Sequence, residues 1–363
     1  MTEIGKHLDE LDTPTLWVDL DRLERNIGAM VRDLRSAGVN WRPHIKGIKV
    51  PAIAHKMVNA GAIGVTCGKL GEAEVMVAAG IRDILIANQI VGPHKSARLA
   101  AIQRHANVKS AVDNEANVVE IAAAARRIGT EVGLVIELDT GMHRAGVAPG
   151  QAVLELARFI QSTDGVRLAG LMTWEGHNLA LSDLDAKHAG IHASIGQLIQ
   201  SVDLCRNAGI DIDIVSGGGS GTYVITSRIP GMTEIQAGGA IFCDQTYQAW
   251  GVKLEPALFL RTRVTSRPVP DRLICDAGFK THTRGFNSPN PVGFSAQNVS
   301  LSAEHGIITL PDGGAQTALQ VGDCFDMTPG YGDATVFLHD TLYGVRNQIV
   351  ETVWDVQARG KLR

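Results

Sequence analysis

VKSAVDNEANVVEIAAAARRIGTEVGLVIEL, residues 108–138, holds a complete strand–helix–strand unit. Val108–Val112 is a short β-rich run, Glu115–Ile128 is an Ala-rich helical stretch, and Val132–Leu138 begins as a buried strand. Two strands joined by a crossover helix run parallel. The same alternation extends both ways along the chain. Upstream lie Trp41–Ile45, Ala62–Cys67 and Ile84–Ala87; downstream lie Leu168–Thr173, Ile212–Val215 and Thr233–Ala237. Gly71–Ala79 and Ala152–Gln161 are two of the helical stretches between them. A first strand, Thr15–Leu20, precedes an amphipathic helix with Leu23, Ile27, Met30, Val31 and Leu34 at helical spacing. The strand count after it is close to eight, which favours a closed (β/α)₈ TIM-type barrel over an open doubly wound sheet.

The pattern changes near residue 250. From Lys253 onward helical periodicity is lost. Leu258–Val264, Arg272–Asp276, Gly306–Thr309, Asp323–Met327, Thr335–Leu338 and Gln348–Val353 read as strands separated by Gly, Pro, Asn and Asp turns. The expected organisation is an α/β barrel over residues 21–250 and a C-terminal β domain over 251–363. The N-terminal strand, residues 1–20, is expected to pack with the β domain.

Composition bounds the function. The chain has 363 residues, 45% apolar and 20% charged, with a net charge of −4, which is ordinary globular composition. Its Lys and Arg residues are dispersed, so nothing suggests a nucleic-acid or membrane-surface partner. Cys67, Cys205, Cys243, Cys275 and Cys324 form no CxxC pair and are odd in number. Reduced thiols and a cytoplasmic location are expected. No signal core and no long apolar run is present.

Five segments could carry chemistry. WRPHIKGIK (41–49) places Lys46 where a barrel strand reaches its C-terminal end, the end on which barrel active sites are built. A lysine pressed into such a mouth loses its proton readily and forms a Schiff base; alone, the segment reads more readily as a basic surface turn. SGGGSGTY (216–223) follows an apolar run and suits an anion, with Gly218, Gly219 and Gly221 admitting close backbone approach and Ser220 and Thr222 offering hydroxyls. A flexible Gly-rich loop is the plainer reading. Gly238 and Gly239 form a second side of that cup or a tight turn. ELDTGMHRAGV (137–147) sends Arg144 toward the mouth, where it could pair with a phenolate or carboxylate, with His143 beside it as a turn residue. MTWEGHNL (172–179) brings Trp174 and His177 to a strand end, either for core packing or to touch a substrate. PGYGDATVFLHD (329–340) carries Tyr331, Asp333, His339 and Asp340, either a metal or acid/base site or an ordinary hairpin.

Each motif is weak alone; their order is specific. RPHIKGIK, GVTCGKLGEAE, DILIANQIVG, ELDTGMHRAGV, WEGH, IVSGGGSGTY, TEIQAGG and CDAGFK together resemble the D-threonine aldolase and D-serine dehydratase family, within the alanine-racemase-like fold of pyridoxal 5′-phosphate (PLP) enzymes. The resemblance runs from LDTPTLWVDLDRLERN (11–26) to the final VWDVQARGK. It implies that Lys46 holds PLP as a Schiff base and that Arg144 lies beside its phenolic oxygen. It implies a phosphate cup of Gly218, Gly219, Ser220, Gly221 and Thr222 with Gly238 and Gly239 near it. Trp174 stands where the family usually has a tyrosine near the pyridine ring, and His177 remains available as a substrate-side base. Asp276 and His305 resemble motifs of the second domain. A homodimer acting on a small amino acid substrate is the implied assembly.

Three departures qualify the resemblance. Lys46 is followed by Gly47 and Ile48 where the family often has Thr-His, a change expected to enlarge the floor of the site. Trp174 lacks a hydroxyl. The family's metal motif P-x-H-x-[DC]-x-T reads Pro329-Gly330-Tyr331-Gly332-Asp333-Ala334-Thr335 here. Asp333 alone is a poor site for Mn, Mg or Zn, since neutral tyrosine is a weaker ligand than imidazole. Tyr331 is expected instead to act as an acid or base through a lowered pKa. The aspartate favours an aldolase cleaving D-β-hydroxy-α-amino acids. A D-β-hydroxy-amino acid dehydratase and a racemase using Lys46 and Tyr331 remain alternatives, with a non-catalytic PLP carrier behind them.

Overall fold

The computed structural model describes residues 3–315 and 317–363. Its chain forms two compact units, one of residues 1–29, 47–52 and 239–360 and one of residues 30–46, 53–238 and 361–363.

The second of these units is the barrel. Its strands are β2 (Asn40–Trp41), β3 (Val65–Cys67), β4 (Asp83–Gln89), β5 (Asn107–Val112), β6 (Val132–Leu138), β7 (Val166–Thr173), β8 (Ile214–Gly217) and β9 (Glu234–Ile235), after β1 (Thr15–Asp19) in the other unit. Every pairing among the eight is parallel, in the order β2-β9-β8-β7-β6-β5-β4-β3. A parallel bridge from His44 to Thr66 joins the β2 segment to β3 and closes the ring. Several strands are shorter than their apolar runs. The segment after β2, for example, continues as single hydrogen bonds such as His44 N to Gln236 O at 2.9 Å.

Side chains of alternate residues fill the ring. Asp83 and Lys109 lie at its lower end, Leu85, Ala111, Val135, Ala169 and Met172 cluster above them, and Gln89 and Glu137 meet at the top. The lower layer is ionic. Arg42, 3% exposed, pairs with Glu234 at 3.0 Å and with Asp83, and Lys109 reaches Asp83 at 2.9 Å. Burial would raise the Asp83 carboxyl, but Arg42 and Lys109 outweigh it and hold it below the usual range. Arg42 thus belongs to the floor of the barrel, although it is four residues from Lys46.

The other unit is built on an antiparallel sheet. Strand β1 pairs with β10 (Leu258–Val269) antiparallel and with β16 (Thr341–Arg346) parallel. The sheet is completed by β11 (Arg272–Cys275), β12 (Asn290–Pro291), β13 (Asn298–Leu301), β14 (Gly306–Thr309), β15 (Cys324–Thr328) and β17 (Ile349–Asp355). Leu8, Leu11, Trp17, Phe259, Val345 and Val350 form a core on it. Helix α1 (Leu20–Ser36) starts in this unit, where Asn26 Nδ2 donates to Ile241 O at 2.9 Å and to Glu255 O at 2.7 Å. Thr335–Leu338, expected as a strand, is instead wound into helical turns over Gly332–Thr335 and Val336–Leu338. The Thr335 hydroxyl donates to Tyr331 O at 2.9 Å and fixes that turn. Three apolar residues in a row set burial, not period, so a strand and a buried turn look alike in sequence.

Asp276 accepts hydrogen bonds from the Thr13 and Thr262 hydroxyls and from Arg263 N at 2.5–2.9 Å. It ties strands together, and His305 lies on an exposed turn. No helix among the described residues is long and apolar enough to cross a membrane.

Candidate functional site

Parallel strands carry the expected site residues to one end of the barrel, because each lies just past a strand's C-terminal end. Lys46 follows the β2 segment and Arg144 follows β6. Trp174 and His177 follow β7, the glycine turn follows β8, and Gly238 follows β9. Lys46 is exposed at that end, not pressed among apolar residues as expected. Its approach is fixed by close backbone packing. At Gly238 a Cβ would overlap the carbonyl and amide of His44, so only glycine lets the two segments meet.

The glycine turn is braced from beneath. Glu175, fully buried, accepts hydrogen bonds from the hydroxyls of Thr222 and Thr226, both at 2.6 Å, and from Gly218 N at 3.4 Å. Gly218 has φ +71°, which lets the chain double back after β8. Gly219 is packed so tightly on the Trp174 ring that a Cβ there would overlap it. Thr222 differs from its expected role. A hydroxyl has one proton, and that proton goes to Glu175 while the oxygen accepts from Gly219 N at 3.0 Å. Thr222 therefore shapes the cup and does not present a hydroxyl donor to an anion. The fit to a planar phosphorylated cofactor rests on this cradle, with glycine backbone above, a ring at its side and a buried carboxyl holding its shape.

Arg144 pairs with Glu137 at 3.1 Å, and Glu137, buried at the top of β6, also accepts from Gln89 at 2.7 Å. The guanidinium is thus oriented and half exposed. In the same loop Asp139 accepts from Gly141 N at 3.0 Å and His143 N at 2.9 Å. The His143 side chain is 88% exposed, as suits a turn residue. Gly141 leaves space for the next histidine, since a Cβ there would come 2.9 Å from His177 Nε2. That nitrogen lies 3.2 Å from Asn178 Nδ2 and 3.5 Å from Ser194 Oγ. Its other ring nitrogen, Nδ1, is buried without a hydrogen-bond partner. An orphaned buried nitrogen is costly unless a ligand or water completes it.

In the other unit, Asp333 is the hub of a phenol cluster. Tyr247 donates to its Oδ1 at 2.7 Å and Tyr331 to its Oδ2 at 3.1 Å. Tyr331 also meets Tyr247, Trp250 and Phe286 edge-on, with ring centroids 5.1–6.4 Å apart. Gly47, the residue after Lys46, lies against Asp333, whose carboxyl fills the place a Cβ would take. The enlargement expected from Gly47 is therefore absent, because Asp333 occupies that space. The lowered pKa expected of Tyr331 is also overturned. Burial, and after it the negative Asp333 and Asp244, push the phenol well above its usual range. Burial likewise raises the Asp244 carboxyl to about 7, against hydrogen bonds from Tyr247 N and Gly332 N. Among the described residues no group of three or more His, Cys, Asp or Glu could hold a metal ion. His339 Nε2 donates to Thr281 O at 2.8 Å, and Asp340 pairs with Arg359.

Sequence reasoning missed Glu175, Glu137, Tyr247 and Asp244. Glu175 sits inside the WEGH segment and was hidden by its neighbours; the other three carry no local signal.

Residues 18–246 match the family described as alanine racemase, N-terminal domain, and residues 257–345 match the putative serine dehydratase domain. The D-threonine aldolase of Arthrobacter sp is 36% identical, over 98% of this chain and 95% of its own. The 3-hydroxy-D-aspartate aldolase of Paracoccus denitrificans (strain Pd 1222) is 34% identical, over 98% and 94%. The crystal structure of D-threonine aldolase from Filomicrobium marinum superposes with a TM-score of 0.95 at 32% identity, covering 100% of both chains.

Proposed function

Because the chain belongs to the alanine-racemase-like PLP enzymes, with D-threonine and 3-hydroxy-D-aspartate aldolases among its relatives, we propose that it is a lyase splitting D-β-hydroxy-α-amino acids into glycine and an aldehyde. The observation that carries this reading is the cradle at the barrel's C-terminal end: a lysine, an oriented arginine and a glycine turn braced by Glu175. PLP, when bound, supplies an electron sink for the pair left on the substrate Cα.

The chain's own residues do the rest. Lys46 would hold the cofactor covalently through its amine. Backbone of Gly218, Gly219, Ser220 and Gly221 would hold the phosphate, with Gly238 and Gly239 contributing to the same cup. Arg144, steered by Glu137, would pair with the phenolic oxygen, and Trp174 would pack on the ring. His177, with its unpartnered Nδ1, is the first candidate for holding the proton of the substrate's β-hydroxyl, and Tyr331 is the second. Homodimeric assembly belongs to the same reading.

The test is product analysis. PLP-loaded protein incubated with D-threonine should yield glycine and acetaldehyde in equal amounts, and with D-3-hydroxyaspartate glycine and glyoxylate. A keto acid with ammonia as the dominant products would replace the aldolase by a dehydratase.

A further inference from the structure

We infer that residues 282–286, in the unit built on the antiparallel sheet, form a proton-operated latch: His282 is the bolt, Thr283 the pivot and Phe286 the flap on the Tyr331 ring. His282 is 0% exposed, and both of its ring nitrogens are buried without a hydrogen-bond partner. A neutral imidazole has one N–H donor and one acceptor, so the closed position leaves both unsatisfied. The next residue, Thr283, has φ +97°, a conformation that a β-branched side chain strongly disfavours. Two such local costs side by side persist only where the surroundings hold them. Here both flanks are pinned. Phe279 N donates to Ser302 O at 2.8 Å, Lys280 N to Ala303 O at 3.2 Å, and His339 Nε2 to Thr281 O at 2.8 Å. Beyond the pivot, Asn287 Nδ2 donates to Thr246 Oγ1 at 3.0 Å, and a Cβ on Gly330 would overlap Asn287 O. Between these pins Phe286, 69% exposed, meets Tyr331 and Trp250 edge-on, with centroids 5.1 and 5.7 Å away.

The proton opens the latch because only the released ring takes it up. Burial, and after it the neighbouring His339, push the closed His282 imidazole down from 6.5 to about 3. Between those values the open form binds a proton that the closed form does not. Opening therefore gains about tenfold for each pH unit below roughly 6.5 and almost nothing above it. His339 is the titratable group that acts on the His282 ring. Burial lowers His339 too, against the Thr281 carbonyl and Asp340, with Arg359 lowering it further. On the loop itself Lys280 pairs with Glu304 at 2.6 Å, and the Arg284 guanidinium donates to Leu301 O at 2.6 Å over the Phe279 ring. No described carboxylate pairs with His282, so its cation has no partner in the closed position. In neutral solution Phe286 stays on Tyr331. In acid His282 turns out to water, Thr283 relaxes and Phe286 leaves the ring.

The amides of His282 and Thr283, which donate to Gly278 O at 2.9 Å and Phe279 O at 3.3 Å, report the opening. Hydrogen exchange of the peptide that contains them is followed by mass spectrometry on the full-length, PLP-loaded protein. Rates are taken from about pH 7.5 to about pH 5 and divided by the chemical exchange rate at each pH. The opening constant should rise roughly 30-fold over that range; a constant that does not change with pH overturns the inference. His282→Leu fills the same buried place without a titrating nitrogen and should change by less than about threefold. A slope that survives His282→Leu and disappears in His339→Gln would give the proton to His339 and overturn the bolt. Thr283→Gly, which relieves the pivot, should lower the opening constant severalfold at every pH and keep the slope; unchanged opening removes Thr283 from the latch. The fluorescence that is lost in Trp250→Phe should become more accessible to acrylamide in acid, and constant quenching would strike out the flap. None of these readings depends on whether D-threonine is cleaved.

Discussion

Lys46→Ala should abolish turnover, with D-threonine cleavage falling by at least about 10³-fold, while the protein stays as stable as before. The two halves of that expectation have separate causes. The Lys46 side chain is exposed, and truncation of an exposed side chain usually changes stability by no more than about 0.5 kcal/mol. Its amine is nonetheless the group proposed to bond the cofactor covalently. The variant should take up PLP by its phosphate alone and lose both the cofactor and its yellow colour on gel filtration. Thermal unfolding of the apo forms and retained visible absorption read the two halves independently. If Lys46→Ala kept its colour through filtration, another lysine would have to be the attachment point.

Glu175→Ala should lower both stability and cofactor affinity. The carboxyl is fully buried and receives two hydroxyls at 2.6 Å and one backbone N–H at 3.4 Å. Deleting it leaves these donors without an acceptor where no water replaces it, at about 1–3 kcal/mol each. A total loss of about 3 kcal/mol or more is expected, read as a lower Tm of the apoprotein. The glycine turn also loses its brace, so its backbone must be ordered by the ligand itself. That ordering should raise the Kd for PLP at least tenfold, equivalent to about 1.4 kcal/mol. Glu175→Gln, which keeps size and one acceptor, should fall between the two. A Glu175→Ala protein with wild-type affinity for PLP would show that the turn keeps its shape unaided.

What could be read from the sequence divides along a physical line. The placement of Lys46, the glycine turn and Arg144 at one end of the barrel was legible because each lies within a few residues of a strand end, and a parallel barrel brings all such ends together whatever the details of packing. The eight barrel strands were legible for the same reason, though several proved shorter than their apolar runs. Glu175 was in plain view between Trp174 and Gly176, yet its role depends on Thr222 and Thr226, which are brought to it only by the β7–β8 pairing. Tyr247 is 86 residues from Asp333, and nothing local joins them. The pKa of Tyr331 was misjudged because a phenol's setting depends on burial and on the charge beside it. The floor at Gly47 was misjudged because a missing side chain reads as space until the neighbour that fills it is known. Thr335–Leu338 was misread because a short apolar run carries no period.

The reaction itself is tested most directly with D-threonine carrying deuterium at Cα. Cleavage of the Cα–Cβ bond leaves the Cα–H bond untouched, whereas dehydration and racemisation both begin by breaking it. The account requires glycine in which the deuterium is retained, formed with one equivalent of acetaldehyde, and unreacted substrate that is still fully deuterated and D-configured. Deuterium washed out of recovered threonine, or appearing in solvent as a keto acid accumulates, would contradict it.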